Sequence, residues 1–370
     1  MTFDALVIGA GPAGSAAANL LASAGWNLAL VEKAPFPRRK VCGEFISTPT
    51  HVILDKCGVG ETFRALAGPP VRRIALFSSD AVVTAHAEKN WGRALGREHL
   101  DAMMRDAAVV AGAILFQPAE LIAHNFAGGM HVCRIKTEDA ESTLAAPILI
   151  AATGSWRSKQ PFGIAAPPHG HDLLAFKAHF RDGALAQGVM PLLIFPGGYG
   201  GMVHTDSGRT SLSCCIRRDV LTGLRQPGEA AGEAVLRHIR ASTGGARRTL
   251  QDANLDGAIL SAGPIRPGIR PRYQDGVYFT GNLAGEAHPI IAEGISMAIQ
   301  SSDLLARHLL AQGAGSLYAA SWRRYFAPRL AAASLFAGAA LHVPGSATQL
   351  VRAFPSLLSW GAAVSGKARF

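Results

Sequence analysis

The sequence predicts an α/β protein in which a Rossmann-like domain carries an inserted mixed β-sheet lobe and ends in a helical C-terminal tail. Three observations predict it. A short apolar run at residues 5–8 enters the glycine-rich turn Gly9-Ala10-Gly11-Pro12-Ala13-Gly14 and continues into an Ala- and Leu-rich segment. A second strand–glycine–helix unit lies near residue 280, far from the first. Between the two, residues 173–216 carry several β-type runs.

Residues 5–8 form a continuous apolar run, as a strand buried on both faces of a parallel sheet requires. The turn fits G-x-G-x-x-G. Gly9 permits the tight turn, Gly11 lets the backbone approach a pyrophosphate, and Gly14 lets helix and strand pack closely. Pro12 and Ala13 open a helix expected to run to about Ala24, with Gly25 ending it. Free amides at the start of that helix, with its dipole, suit a diphosphate. A second apolar strand, 28–31, delivers Glu32 and Lys33, with Glu32 eighteen residues beyond Gly14. A carboxylate at this strand tip accepts both ribose hydroxyls and repels a 2′-phosphate. Strand, glycines, helix, second strand and acid agree on a dinucleotide site.

At 370 residues the chain has room for two packed domains or one large domain with an inserted lobe. A hydrophobic content of 49% against 17% charged residues excludes a disordered chain. Five cysteines, odd in number and without a C-x-x-C pair, support neither a zinc site nor a disulfide framework, and a reducing, cytoplasmic setting fits best. No basic region precedes the first apolar run, so it reads as a strand and not a signal peptide. No apolar stretch reaches the ~18–20 residues of a membrane span, residues 330–341 coming nearest. The net charge of +10 comes from scattered arginines. It fits anionic or carrier-bound substrates or a membrane surface, but an Arg-rich composition without a partner is the preferred reading. No nucleic-acid motif and no internal repeat is present.

The loop 34–47 contains two prolines and three consecutive cations, which preclude regular structure until about Val41. Loops placed after a ribose-binding strand fold back over the cofactor, and Gly43 allows close approach to a flat ring. Cys42 reads either as packing or as a redox-active thiol, with no partner cysteine spaced for the second role. Residues 73–88 read as a hairpin and 97–108 as a helix with apolar positions at 100, 103, 104, 107 and 108. Arg97 sits at the helix start, where a cation is unfavourable unless it meets an anion; a ligand-facing role and a surface role both remain open. Strands are expected at 113–117, 120–126, 131–136 and 147–152, the last ending at Thr153-Gly154-Ser155-Trp156-Arg157-Ser158. A strand's carboxyl end is where open α/β sheets bind ligands. After a proline-rich break at 161–168, β-type runs follow at 173–180, 192–195, 201–204 and 210–216, a helix at 229–242, and strands at 254–261 and 276–279. His169 and His171 lack the clustered carboxylates or further histidines that a metal site needs, so no metal is expected. The last strand ends at Gly281, and a helix begins near Glu293 and runs to Leu310. The tail from Ser316 reads as a helical cover on the core, with a lipid-facing flap as the alternative.

Together these stretches resemble the flavoprotein monooxygenase-like superfamily over residues 3–310, and within it the geranylgeranyl reductase-like branch that neighbours flavin-dependent halogenases. GAGPAG with Glu32 looks like the FAD adenosine-diphosphate motif. PRRKVCGEFIS looks like that branch's P-x-x-K-x-C-G loop, which implies Lys40, Cys42 and Gly43 near the flavin. Arg97-x-x-Leu100-Asp101 is similar to a helix start that contacts FAD. GNLAGEAHPIIAEGI looks like the segment that wraps the ribityl chain and ring, which implies Gly281, Asn282, Pro289, Glu293, Gly294 and Ile295 as cofactor-binding, with Thr153 and Gly154 from the strand-ending motif. Aspartates usual in the family are Asn282 and Thr153 here. Phe195, Pro196, Tyr199 and Met202 belong to a strip similar to the branch's substrate-cavity strand, whose upstream Tyr-x-Trp is missing. The halogenase W-x-W-x-I-P signature is absent. No second G-x-G-x-x-G opens another nucleotide domain, which excludes two-dinucleotide-domain disulfide reductases.

The resemblance implies a glutathione-reductase-type FAD-binding domain assembled from 1–70, 95–160 and 270–312, a substrate domain from 71–94 and 161–269, and a helical region at 313–370. It implies FAD as cofactor, with transient NAD(P)H or a reduced carrier as donor. The leading expectation is hydride delivery through the flavin to an unsaturated lipophilic molecule, isoprenoid- or polyketide-like. The alternatives are hydroxylation of a phenolic ring through a flavin hydroperoxide, and a non-catalytic flavin-binding protein. His288, Cys42 and Tyr199 are the catalytic candidates, His288 reading equally as proton donor or buried structural histidine. Expected partners are the lipophilic substrate and a peripheral membrane or carrier-protein contact, but no nucleic acid.

Overall fold

The computed structural model describes residues 1–85, 90–155, 162 and 167–367. Its first sheet has six strands in the spatial order Tyr273–Gln274, Val277–Phe279, Ile148–Ala151, Ala5–Ile8, Leu28–Val31, Ile114–Phe116. All neighbours in it run parallel except Tyr273–Gln274. The apolar runs at 5–8, 28–31 and 148–151 occupy the middle, where both faces are covered and only continuous hydrophobic strands fit. The helices Pro12–Ala22 and Gly294–Leu310 pack side by side on one face. A three-stranded antiparallel meander, Glu120–Ala127, Met130–Lys136 and Glu141–Ala146, covers the other through Leu121, Cys133, Ile135 and Leu144. Its third strand is an addition to the expected elements, recruited by pairing with Met130–Lys136 rather than by a strong pattern of its own.

The second sheet has eight strands. Arg73–Ser78 pairs parallel with Val189–Phe195 and antiparallel with Ala81–Thr84. The sheet continues through Gly198–His204, Thr210–Arg217 and Leu173–Arg181. The run expected at 254–261 divides into Asn254–Leu255 and Leu260–Ile265, with Gly257 at φ +87° between them. Both pieces pair with Leu173–Arg181. Helices Arg218–Leu224 and Gly244–Thr249 join the expected one, observed as Ala231–Ser242, over the outer face. Gly92–Ala94 pairs with Phe45–Ser47, so this end of the segment expected in the substrate lobe is tied to the loop beyond the nucleotide strands. The end of the expected hairpin at 86–88, the Trp156-Arg157-Ser158 turn and the 160/161 domain boundary lie outside the described residues.

Among the described residues the tail forms three α-helices, Gly315–His342, Pro344–Ala353 and Ser356–Ala362, followed by a π-helical turn at Ala363–Lys367. The first bridges both sheets. Tyr318, Trp322, Phe326 and Leu330 belong to the core on the helical face of the nucleotide sheet. Farther along, Ala333, Ala337 and Ala340 pack with the inner face of the second sheet. Among the described residues no single helix is long and apolar enough to cross a membrane.

Candidate active site

One continuous cavity of about 1070 Å³ runs between the two sheets. That is at the upper end of ordinary small-molecule sites, which span roughly 300–1,000 Å³. Its polar end is the first strand–turn–helix. Gly9 adopts φ +103°, and a Cβ there would lie 2.6 Å from the Ala152 carbonyl oxygen. A Cβ at Gly14 would lie 1.7 Å from the Gly9 carbonyl oxygen. These two glycines serve packing. A Cβ at Gly11 would meet only the Arg97 guanidinium, at 3.9 Å, so the space before it belongs to the cleft.

Glu32 is buried at the strand tip. It accepts hydrogen bonds from the Ala10 and Ala34 amides, each at 2.9 Å, and an ion pair from Arg38 at 2.7 Å. Arg97 meets its anion within its own helix, making two 2.6 Å bonds to buried Asp101. Burial opposes charging the guanidinium, but Asp101 overcomes this and raises its pKa. Lys40 is exposed as a residue, yet surrounding protein lowers its ammonium to about 8, with repulsion from Arg38 and Arg97 adding to the effect. Cys42 is half-buried, and its sulfur accepts the Glu44 amide at 3.4 Å. All five cysteines are free thiols.

The second glycine unit closes the middle of the cavity. Gly281, at φ +62°, brings this strand end against Ala13, whose Cβ would lie 2.9 Å from an added Cβ. Asn282 donates to Ser155 Oγ at 2.9 Å and to Glu286 Oε1 at 3.1 Å, while Ser155 donates to the same oxygen at 2.7 Å. Burial raises the Glu286 pKa, the hydrogen bond from Ser155 and the charge of Arg270 opposing it. Lys33, Gly43, Thr153, Gly154, Pro289, Gly294 and Ile295 all line the cavity as expected. Glu293 does not. It is fully buried behind the wall, where its carboxylate accepts the Ser47 hydroxyl at 2.9 Å and its backbone begins helix Gly294–Leu310.

The other end is apolar, lined by Ile74, Leu76, Met190, Leu192, Ile194, Tyr199 and Ile290. Phe195 and Pro196 lie outside it. Strand alternation sends Phe195 to the opposite face, where it packs edge-on to His238 with ring centroids 5.7 Å apart. Pro196 sits in the exposed turn, its carbonyl accepting His238 Nε2 at 2.9 Å. Met202 borders the cavity, but its side chain belongs to the same far-face core as Phe195. Tyr199 faces inward, and its hydroxyl lies 3.2 Å from His288 Nδ1. Burial raises the phenol pKa well above its usual value and lowers that of the imidazole. The structure therefore brings two catalytic candidates together and leaves Cys42 elsewhere on the wall.

Three contributors escaped the sequence reading. Arg38 neutralises Glu32. Glu44, at φ +64°, is buried with Lys177 and His179, accepting Lys177 Nζ, His179 Nε2 at 2.8 Å and the Arg97 amide at 3.2 Å. The third is the wall built by the tail, from Phe336 through Val343 and Leu350 to Trp360. Glu44 stands directly after the singled-out Cys42-Gly43 and was within reach of the argument; the wall had no local signal.

The residues fit an FAD. Gly11 leaves its Cβ position open to the cleft, and Thr153 Oγ1 lines the cavity, buried, with no hydrogen-bond partner among the described residues. The N-terminus of helix Pro12–Ala22 borders the same space.

Comparison with known proteins agrees. The model of the family described as FAD binding domain matches residues 2–336. A menaquinone reductase of Mycobacterium tuberculosis is 25% identical over 83% of this chain and 76% of its own length. Digeranylgeranylglycerophospholipid reductase 1 of Methanopyrus kandleri is 27% identical over 81% and 78%. Conditioned medium factor receptor 1 of Dictyostelium discoideum is 24% identical over 83% of this chain, which spans 63% of that relative. Among solved structures, a flavin-dependent brominase superposes with TM-score 0.79 at 17% identity, covering 100% of this chain and 94% of its own. A geranylgeranyl bacteriochlorophyll reductase-like protein of Thermoplasma acidophilum gives 0.70 at 18%, covering 98% and 91%. At these identities the structural likenesses establish the fold.

Proposed function

The chain belongs to the FAD binding domain family, and on that premise we propose that it reduces an unsaturated, lipophilic small molecule, with NAD(P)H or a reduced carrier as electron donor. The observation that carries this reading is the continuity of the dinucleotide cleft with a large apolar chamber whose wall holds the Tyr199–His288 pair. The relatives named as menaquinone and digeranylgeranylglycerophospholipid reductases support the choice of substrate class.

When bound, FAD supplies the hydride chemistry. Gly11, the first-turn amides of Ala13 and Gly14, and Arg97 would hold its diphosphate, Glu32 its ribose, and Asn282 and Thr153 its polyol. Reduction of a double bond also consumes a proton. Tyr199 keeps its proton at neutral pH because burial opposes the phenolate, and His288 is positioned to replace that proton. His288 also borders a smaller pocket of about 300 Å³ with His169, His171, Asp172 and His342, which provides a route for resupply. The apolar walls exclude competing water.

The test is product analysis under labelled dioxygen with NAD(P)H and a polyprenyl or quinone substrate. A product heavier by two hydrogens and free of label is expected; a labelled hydroxyl would replace the proposal with a monooxygenase. In the same assay Tyr199→Phe is expected to lower turnover about 10²-fold or more with flavin retained, the usual worth of a positioned proton donor. His288→Ala is expected to slow turnover with flavin still bound. Unchanged rates in both would remove the pair from the mechanism.

A further inference from the structure

The tail helices that wall the cavity are also incompletely covered on the outside. Val343, Leu350 and Trp360 both line the cavity and leave about half or more of their surface exposed. Leu335 and Phe354, on the same helices, are likewise more than half exposed. Phe336 and Trp360 meet edge to face with ring centroids 6.5 Å apart, both bordering the cavity. A residue that touches both cavity and solvent marks an opening, so this end of the chamber has an apolar rim. The chain turns by 111° between Gly315–His342 and Pro344–Ala353; neither helix alone is long and apolar enough to cross a membrane, and only the bent pair together reaches that length and composition.

The charge pattern of this region is one-sided. From Gly313 to the C-terminus the sequence holds six Lys and Arg residues and no Asp or Glu; Arg323, Arg324 and Arg352 are exposed, whereas Arg329 is buried and donates to Gln300. Apolar side chains including Trp and Phe, joined to cations without anions, are the composition of a segment that lies in a bilayer interface. A second copy of this chain would bring cations against cations across a two-fold axis, which disfavours self-association through this face.

We propose that the exposed face of residues 323–364, with Arg323, Arg324 and Arg352 among its apolar side chains, docks on an anionic lipid surface, and that lipophilic substrate enters the cavity through the rim this face surrounds. The delivery role rests on the reductase reading above; the docking itself does not.

The experiment is flotation of the full-length, FAD-loaded protein with vesicles of phosphatidylcholine alone or mixed with phosphatidylglycerol. Flotation needs no turnover, so failure of the reductase reading leaves its outcome unaffected. At least tenfold more protein is expected on the anionic vesicles, and the paired substitutions Leu335→Ser and Phe354→Ser are expected to reduce that at least tenfold. Flavin absorbance of this variant, unchanged, shows that it folds. Val110→Ser, which removes a still more exposed apolar side chain outside this region, is expected to float like the parent. Absence of flotation, or flotation insensitive to the paired substitutions, overturns the proposal. So does loss of self-association, or of binding to an acidic acyl carrier protein, in the paired variant when the parent ignores vesicles.

Discussion

Gly11 and Gly14 stand in one motif and do different work. An added Cβ at Gly14 would overlap the Gly9 carbonyl, at 1.7 Å, whereas one at Gly11 would only narrow the cleft beside Arg97. Gly14→Ala is therefore expected to prevent accumulation of folded protein. Gly11→Ala is expected to fold with its melting temperature little changed and to lose bound flavin, read as the ratio of flavin to protein absorbance. Equal stability loss in both would refute the division of roles. The same logic separates Tyr199 from Phe195, four residues apart in sequence but on opposite faces of the second sheet.

At the scale of elements, the helix Gly315–His342 holds the second glycine unit in place. The Trp322 ring packs where a Cβ on Gly285 would be, 2.4 Å from it, and the Tyr318 hydroxyl donates to the Phe279 carbonyl at 2.8 Å. Trp322 is almost fully buried in the nucleotide-side core. Trp322→Ala is expected to cost about 3–5 kcal/mol in denaturant unfolding. Because Gly285 adjoins Asn282 and Glu286, the variant is also expected to release flavin faster under mild denaturant. Full flavin retention at a lowered midpoint would show that the helix stabilises the fold without shaping the site.

For the whole molecule, the two sheets meet through buried charge. Glu44 belongs to the loop beyond the nucleotide strands, Lys177 and His179 to the second sheet, and all three are almost fully buried. Burial by itself raises the Glu44 pKa, but the His179 hydrogen bond and the Lys177 charge overcome it and hold the carboxyl at about 2. A depressed carboxyl stabilises the fold fully above its ordinary value of 4.5, and that contribution drains away as pH falls toward about 2. Glu44→Gln leaves Lys177 buried without its counter-charge, at a cost of roughly 3–5 kcal/mol near neutrality. Urea midpoints at pH 7 and pH 3 check this: the variant is expected to be weaker at pH 7 and to lose less on acidification than the parent. A parallel acid slope in both would assign the acid sensitivity to other groups.

Local chemistry was enough to read the first strand, its glycine turn, the acid at residue 32 and the helix begun at Gly294, because each is dictated by nearest neighbours: apolar continuity, missing Cβ atoms, helix-terminal amides. The FAD binding domain family was legible for the same reason, since its motifs are short contiguous stretches. The apolar chamber was not. Whether Phe195 or Ile194 faces it depends on sheet register, and register is set by pairing with Arg73–Ser78, more than a hundred residues earlier. The Glu44–Lys177–His179 cluster joins residues over 130 apart, and the outer wall comes from helices near the end of the chain. The sequence by itself determined which cofactor the cleft accepts; only tertiary packing decided what else the cavity admits, because its walls are drawn from segments with no local reason to meet.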